Sequence, residues 1–74
     1  MTTELLKMLT TSAEADKAKA FLSLNLLGQQ AVGIGDHSTD DFYKNAEEAL
    51  SMLVDADDRL NTLKIYFNNK KIIK

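Results

Sequence analysis

The apolar residues downstream of residue 39 recur with a fixed period. Phe42, Ala46, Ala49, Leu53, Ala56, Leu60, Leu63 and Phe67 follow one another at spacings of 4, 3, 4, 3, 4, 3 and 4. That is the heptad signature of a helix with one continuous apolar seam. It predicts an unbroken helix from about residue 39 to about residue 68. At about 1.5 Å per residue, some 30 residues make a rod on the order of 45 Å long. Upstream, Ala20, Leu24, Leu27, Ala31 and Ile34 repeat the pattern at 4, 3, 4 and 3. The two stripes most simply face each other in an antiparallel helical hairpin. Ala46, Ala49 and Ala56 beside Gly28 and Ala31 leave little side-chain bulk between the axes, so a close approach is expected.

Punctuation sets the other boundaries. The chain has no proline and three glycines, at 28, 33 and 35, so the strong break falls near residue 33. Thr11 followed by Glu14 has the spacing of a capping box, which starts a helix near residue 12 and carries it to about 33. Gly33 or Gly35 supplies the left-handed residue that ends it. Glu4 to Thr10, with Leu5, Leu6, Met8 and Leu9, then reads as a separate short amphipathic helix over about 3–10 that covers one end. Asp36, Ser38 or Thr39 can cap the long helix, whose first turns hold Asp40 and Asp41 where the dipole favours negative charge. A tail, 69–74, completes a single 1–74 domain.

A hairpin of this kind leaves apolar residues over. Phe21, Leu22 and Leu26 lie off the first seam, and Tyr43, Leu50, Met52, Val54, Ile65 and Tyr66 lie off the second. A side chain such as Leu50 left in water forfeits up to about 1.5–3 kcal/mol of burial, and contiguous exposed patches mark interfaces. A domain of 74 residues also gains only about 3–5 kcal/mol from its own core, so small chains need a staple. A second copy of the hairpin is the economical remedy, giving a helical bundle built by oligomerisation. Tyr43, Leu50, Met52, Val54 and Tyr66 are the expected interface residues.

Charge is distributed unevenly along the long helix. Residues 36–58 carry eight acids against Lys44, a net −7, whereas residues 59–74 carry five bases and no acid. Two such helices pairing antiparallel would set each acidic half beside a basic half. The plainer reading is that acids at a helix start and bases at its end complement the macrodipole.

Composition excludes several function classes. The chain is 45% hydrophobic and 27% charged, a composition that folds. It has no cysteine, so disulfides, thiolate metal sites and thiol nucleophiles are absent, and a cytoplasmic location is the default. A net charge of −2 and a pI near 5.2 argue against a nucleic-acid partner. The most apolar stretch, Ala18 to Ile34, is interrupted by Lys19, Ser23, Asn25, Gln29 and Gln30, so no membrane span and no membrane partner are expected. The tail Asn68 to Lys74 is basic, but its three lysines are thin for a membrane or nucleic-acid site.

No catalytic motif assembles. Asp36, His37 and Ser38 include the residue types of a hydrolase triad, yet neighbours in sequence cannot make the required chain of contacts. His37 with Asp36, Asp40 and Asp41 is a weak candidate for a divalent cation, because metal sites ordinarily draw three or four protein ligands and this chain has one histidine. Asp55, Asp57 and Asp58 resemble the start of an EF-hand loop, but Leu60 stands where glycine is required and Tyr66 where glutamate is. They read instead as a solvated face, with Asp55 able to pair with Arg59 at i, i+4.

The expectation is therefore an all-α, non-catalytic chain without cofactor or metal. It acts through protein–protein contact as an adaptor, inhibitor or regulatory subunit and partners itself. The alternative is a small-ligand or nucleotide-binding bundle, with Asn25, Gln29, Gln30, His37 and Lys44 around the turn or subunit interface. Those polar residues otherwise form the wet face of the first helix.

Overall fold

The structure, a computed structural model, describes residues 1–30 and 39–67. Two helices account for nearly all of them: α1, Thr3–Gln30, and α2, Thr39–Phe67, packed against each other. Cross-helix ion pairs set their relative direction, since Asp16 meets Arg59 and Lys17 meets Asp57. Nearer the chain start, Leu6 and Thr10 share a groove with Leu60 and Leu63, and nearer the turn, Leu27 shares one with Ala49. Higher numbers on α1 thus meet lower numbers on α2, and the hairpin is antiparallel.

The separate helices expected over about 3–10 and from 12 onward are one. α1 runs through Thr11 and Ser12 without a break. Its N-terminal cap lies at Thr2, whose hydroxyl Oγ1 accepts a hydrogen bond from the Leu5 amide at 3.2 Å, with Glu4 in the first turn. Threonine and serine inside a helix cost well under 1 kcal/mol each, and nothing from residue 9 to 13 forbids helical backbone. Packing supplies the reason for continuity, because the seam residues Leu6, Thr10 and Ala13 keep the 4, 3 rhythm straight across the cap signal. Leu6 joins the seam, while Leu5 and Met8 of the same turn stay exposed instead of covering an end. The glycine stop at 33 or 35, seam positions Ala31 and Ile34, cap candidates Asp36 and Ser38, and the tail lie outside the described residues.

The α2 seam falls where its period places it. Ala49 and Ala56 are buried, Phe42, Ala46, Leu53, Leu60 and Leu63 are half-buried, and Phe67 at the helix end is 38% exposed. On α1 the seam comprises Leu6, Thr10, Ala13, Lys17, Ala20, Leu24 and Leu27, again at 4, 3 spacing. The described core is Ala13, Ala20, Ala49 and Ala56, with no large side chain fully buried. Alanine suits this position because its single methyl lets two backbones approach while it favours helix. Gly28 does not belong to that close approach. It is exposed, and a Cβ there would meet nothing within 4 Å.

Two stability predictions follow from this packing. Replacing Gly28 by alanine fills open space and removes backbone freedom from the unfolded chain, so urea denaturation should show a gain of about 0.4–1 kcal/mol. Ala56→Leu puts an isobutyl group where no surface is exposed. It should cost about 1–3 kcal/mol in the same assay, and parent-like stability would mean that the helix axes separate freely there.

Candidate interaction surface

At about 100° per residue, each helix presents flanks on either side of its seam. In an antiparallel pair, like flanks meet, so the hairpin has two broad faces. One face carries Leu9, Ser12, Asp16, Ser23 and Leu26 from α1, with Glu48, Met52, Asp55, Arg59 and Thr62 from α2. The grooves Leu9–Ser12–Arg59–Thr62–Leu63 and Ser23–Leu26–Glu48–Met52 open onto it. The opposite face carries Thr10, Glu14, Lys17 and Phe21 with Leu50, Asp57, Asn61 and Lys64. The grooves Thr10–Glu14–Leu60–Lys64 and Lys17–Asp57–Asn61–Lys64 open there.

Charged side chains strap the helices together at one level on both faces. On the first, the Arg59 guanidinium donates to Asp16 from Nη2 at 2.8 Å and to Asp55 from Nε at 3.0 Å, and Lys19 stands 3.9 Å from the second Asp16 oxygen. On the second, Lys17 Nζ lies 2.8 Å from Asp57. The Arg59 guanidinium is held above its usual pKa first by the hydrogen bond to Asp16, against partial desolvation, with the charge of Asp55 adding to the rise. An arginine stays cationic in any case.

The i, i+4 pair of Asp55 and Arg59 is visible in the sequence, but the cross-helix partner Asp16 is not, because it depends on register. The seam position Lys17 did have a signal. Counting the 4, 3 rhythm backward from Ala20 gives 17, 13, 10 and 6, a run that Thr10 and Lys17 disguise with polar side chains.

The apolar residues off the seam are exposed. Thirteen large hydrophobic side chains among the described residues show 38–70% of their surface, Tyr66 the most. The five expected interface residues do not form one patch. Tyr43, Leu50 and Val54 fall within about 40° of one another on the outer side of α2 toward the second face. Met52 lies roughly opposite them around the helix and lines a groove of the first face, on the same flank as Tyr66. Of the ligand candidates, Asn25 and Gln29 are exposed on the outer side of α1, and Lys44 is exposed on α2. The Gln30 side chain and His37 lie outside the description. Among the described residues no three histidine or acidic side chains gather as a metal site, and no helix is long and apolar enough to cross a membrane.

Comparison with protein-family models, curated proteins and solved structures finds no match to this chain.

The Asp16–Arg59 strap is measurable. Because both groups are about one-third exposed, a double-mutant cycle with Asp16→Asn and Arg59→Gln should give a coupling of about 0.2–1 kcal/mol. The coupling should shrink in 1 M salt, where the screening length is about 3 Å. A coupling indistinguishable from zero at low salt would remove the strap from the account of register.

Proposed function

We propose that this chain is a non-catalytic protein that works through protein–protein contact, as an adaptor, inhibitor or regulatory subunit, and that it self-associates into a helical bundle. The observation that supports the reading is the imbalance between what is buried and what is exposed. Among the described residues, four alanines are the buried core, while thirteen large hydrophobic side chains are exposed. Each buried CH2 is worth about 0.8 kcal/mol, so alanine methyls contribute little beside the leucines and aromatics left outside. Exposed apolar side chains at i, i+3, i+4 and i+7 are also what helix-in-groove recognition uses. Leu5 and Met8 on α1 and Tyr43, Leu50 and Val54 on α2 follow that spacing.

The experiment is light scattering coupled to size exclusion over a hundredfold range of concentration. A species of at least twice the 8.2 kDa chain mass at the upper end is the expected result. A monomer throughout the range would overturn self-association and leave contact with a different protein as the remaining part of the reading.

A further inference from the structure

We propose that folding and self-association of this chain are a single transition: the hairpin does not persist as a free monomer, and a second copy supplies the burial that its alanine seam lacks. The inference rests on the self-association reading above and adds the state of the unassociated chain.

Surface area is the observation that carries it. A chain of 8.2 kDa exposes about 11,900 Å² when unfolded, and a compact folded monomer of that mass retains about 4,500 Å². This chain retains 5584 Å². It therefore buries only about 53% of its unfolded surface, short of the roughly 60% at which a small domain is already marginal. The surplus over a compact monomer is about 1,000 Å². A standard interface removes about 800 Å² from each partner, which lifts the buried fraction to about 60%. A second copy has the same deficit, so one isologous contact relieves both chains at once.

The described residues show where the deficit lies. Ala13, Ala20, Ala49 and Ala56 are buried and no large side chain is fully so, whereas Leu22, Leu26, Ile65 and Tyr66 each expose more than 60% of their surface. What else holds a lone hairpin is weak. The ion pairs that cross it, Lys17–Asp57 and Asp16–Arg59, join side chains that are 32–55% exposed, and pairs in that setting stabilise little. Neither helix is built to stand alone. α1 contains Thr10, Thr11, Ser12, Ser23, Asn25 and Gly28, all poorer helix formers than alanine. Helices in proteins draw most of their stability from the packing of an apolar face. A chain that reaches adequate burial only when paired has no stable folded monomer, and its stability rises with its own concentration.

The test follows helicity and mass together, by far-ultraviolet circular dichroism and light scattering over a hundredfold range of concentration, with urea unfolding at both ends of it. Wherever the mass falls to that of one chain, the helical signal should fall with it. Where association persists throughout, the hundredfold rise in concentration should move the urea midpoint up by about 1–3 M, because that factor corresponds to about 2.7 kcal/mol and small proteins lose about 1–3 kcal/mol per molar urea. A species of one-chain mass that keeps the helical signal would overturn the coupling while leaving self-association standing. A midpoint that stays fixed in a chain that associates would do the same. A chain of monomer mass over the whole range would overturn this inference together with the reading it rests on.

Discussion

The close approach of two helices over a row of alanines is the constraint from which the rest of this structure follows. Among the described residues, Ala13, Ala20, Ala49 and Ala56 are the buried apolar ones, and each contributes one methyl to the seam. Small seam residues bring the backbones together, but they also limit how much apolar surface two helices can hide from water. With alanine at the contact, the larger side chains at flanking positions are carried outward, and the hairpin ends with more apolar surface than two helices can cover. The exposed residues of the chain are thus a geometric consequence of its core.

The charged straps belong to the same constraint. The alanines of the seam have little shape to resist sliding by a turn, because one methyl resembles the next, and the leucines beside them in the seam are only half-buried. Lys17 occupies a seam position outright, and Asp16 sits beside it. Their bonds to Asp57 and Arg59 cross the interface on opposite faces at one level. Pairs this exposed contribute modestly to stability. Their effect is on register, since a slip of one helix by a turn would part both straps together and leave Lys17 at the seam without its carboxylate. Polar residues in heptad seams are best attested in that role.

Seen from outside, the hairpin is a rod with two unlike faces. One carries the Asp16–Arg59–Asp55 cluster at its middle, and the other carries the Lys17–Asp57 pair. No cluster of three metal-ligating side chains appears among the described residues.

Helix content and the α2 seam were legible in the sequence because a period that holds over eight positions leaves little freedom in which face is buried. The off-seam residues Leu26, Leu50, Met52 and Tyr66 could likewise be named as exposed before any fold was known. Local signals served less well. The Thr11–Glu14 spacing marks a cap in isolation, yet α1 runs through it, because a seam extending from Leu6 to Leu27 outweighs a preference worth about 1 kcal/mol. Gly28 read as a contact and is a gap. The partnership of Asp16 with Arg59, the position of Lys17 in the seam and the division of Tyr43, Leu50 and Val54 from Met52 and Tyr66 were settled only by the tertiary structure. Each depends on register and on which flank of one helix meets which flank of the other. The sequence determines which residues can lie on a common line along a helix, because that follows from 3.6 residues per turn. Which lines meet is decided by contacts between residues some forty positions apart, and no local period encodes them.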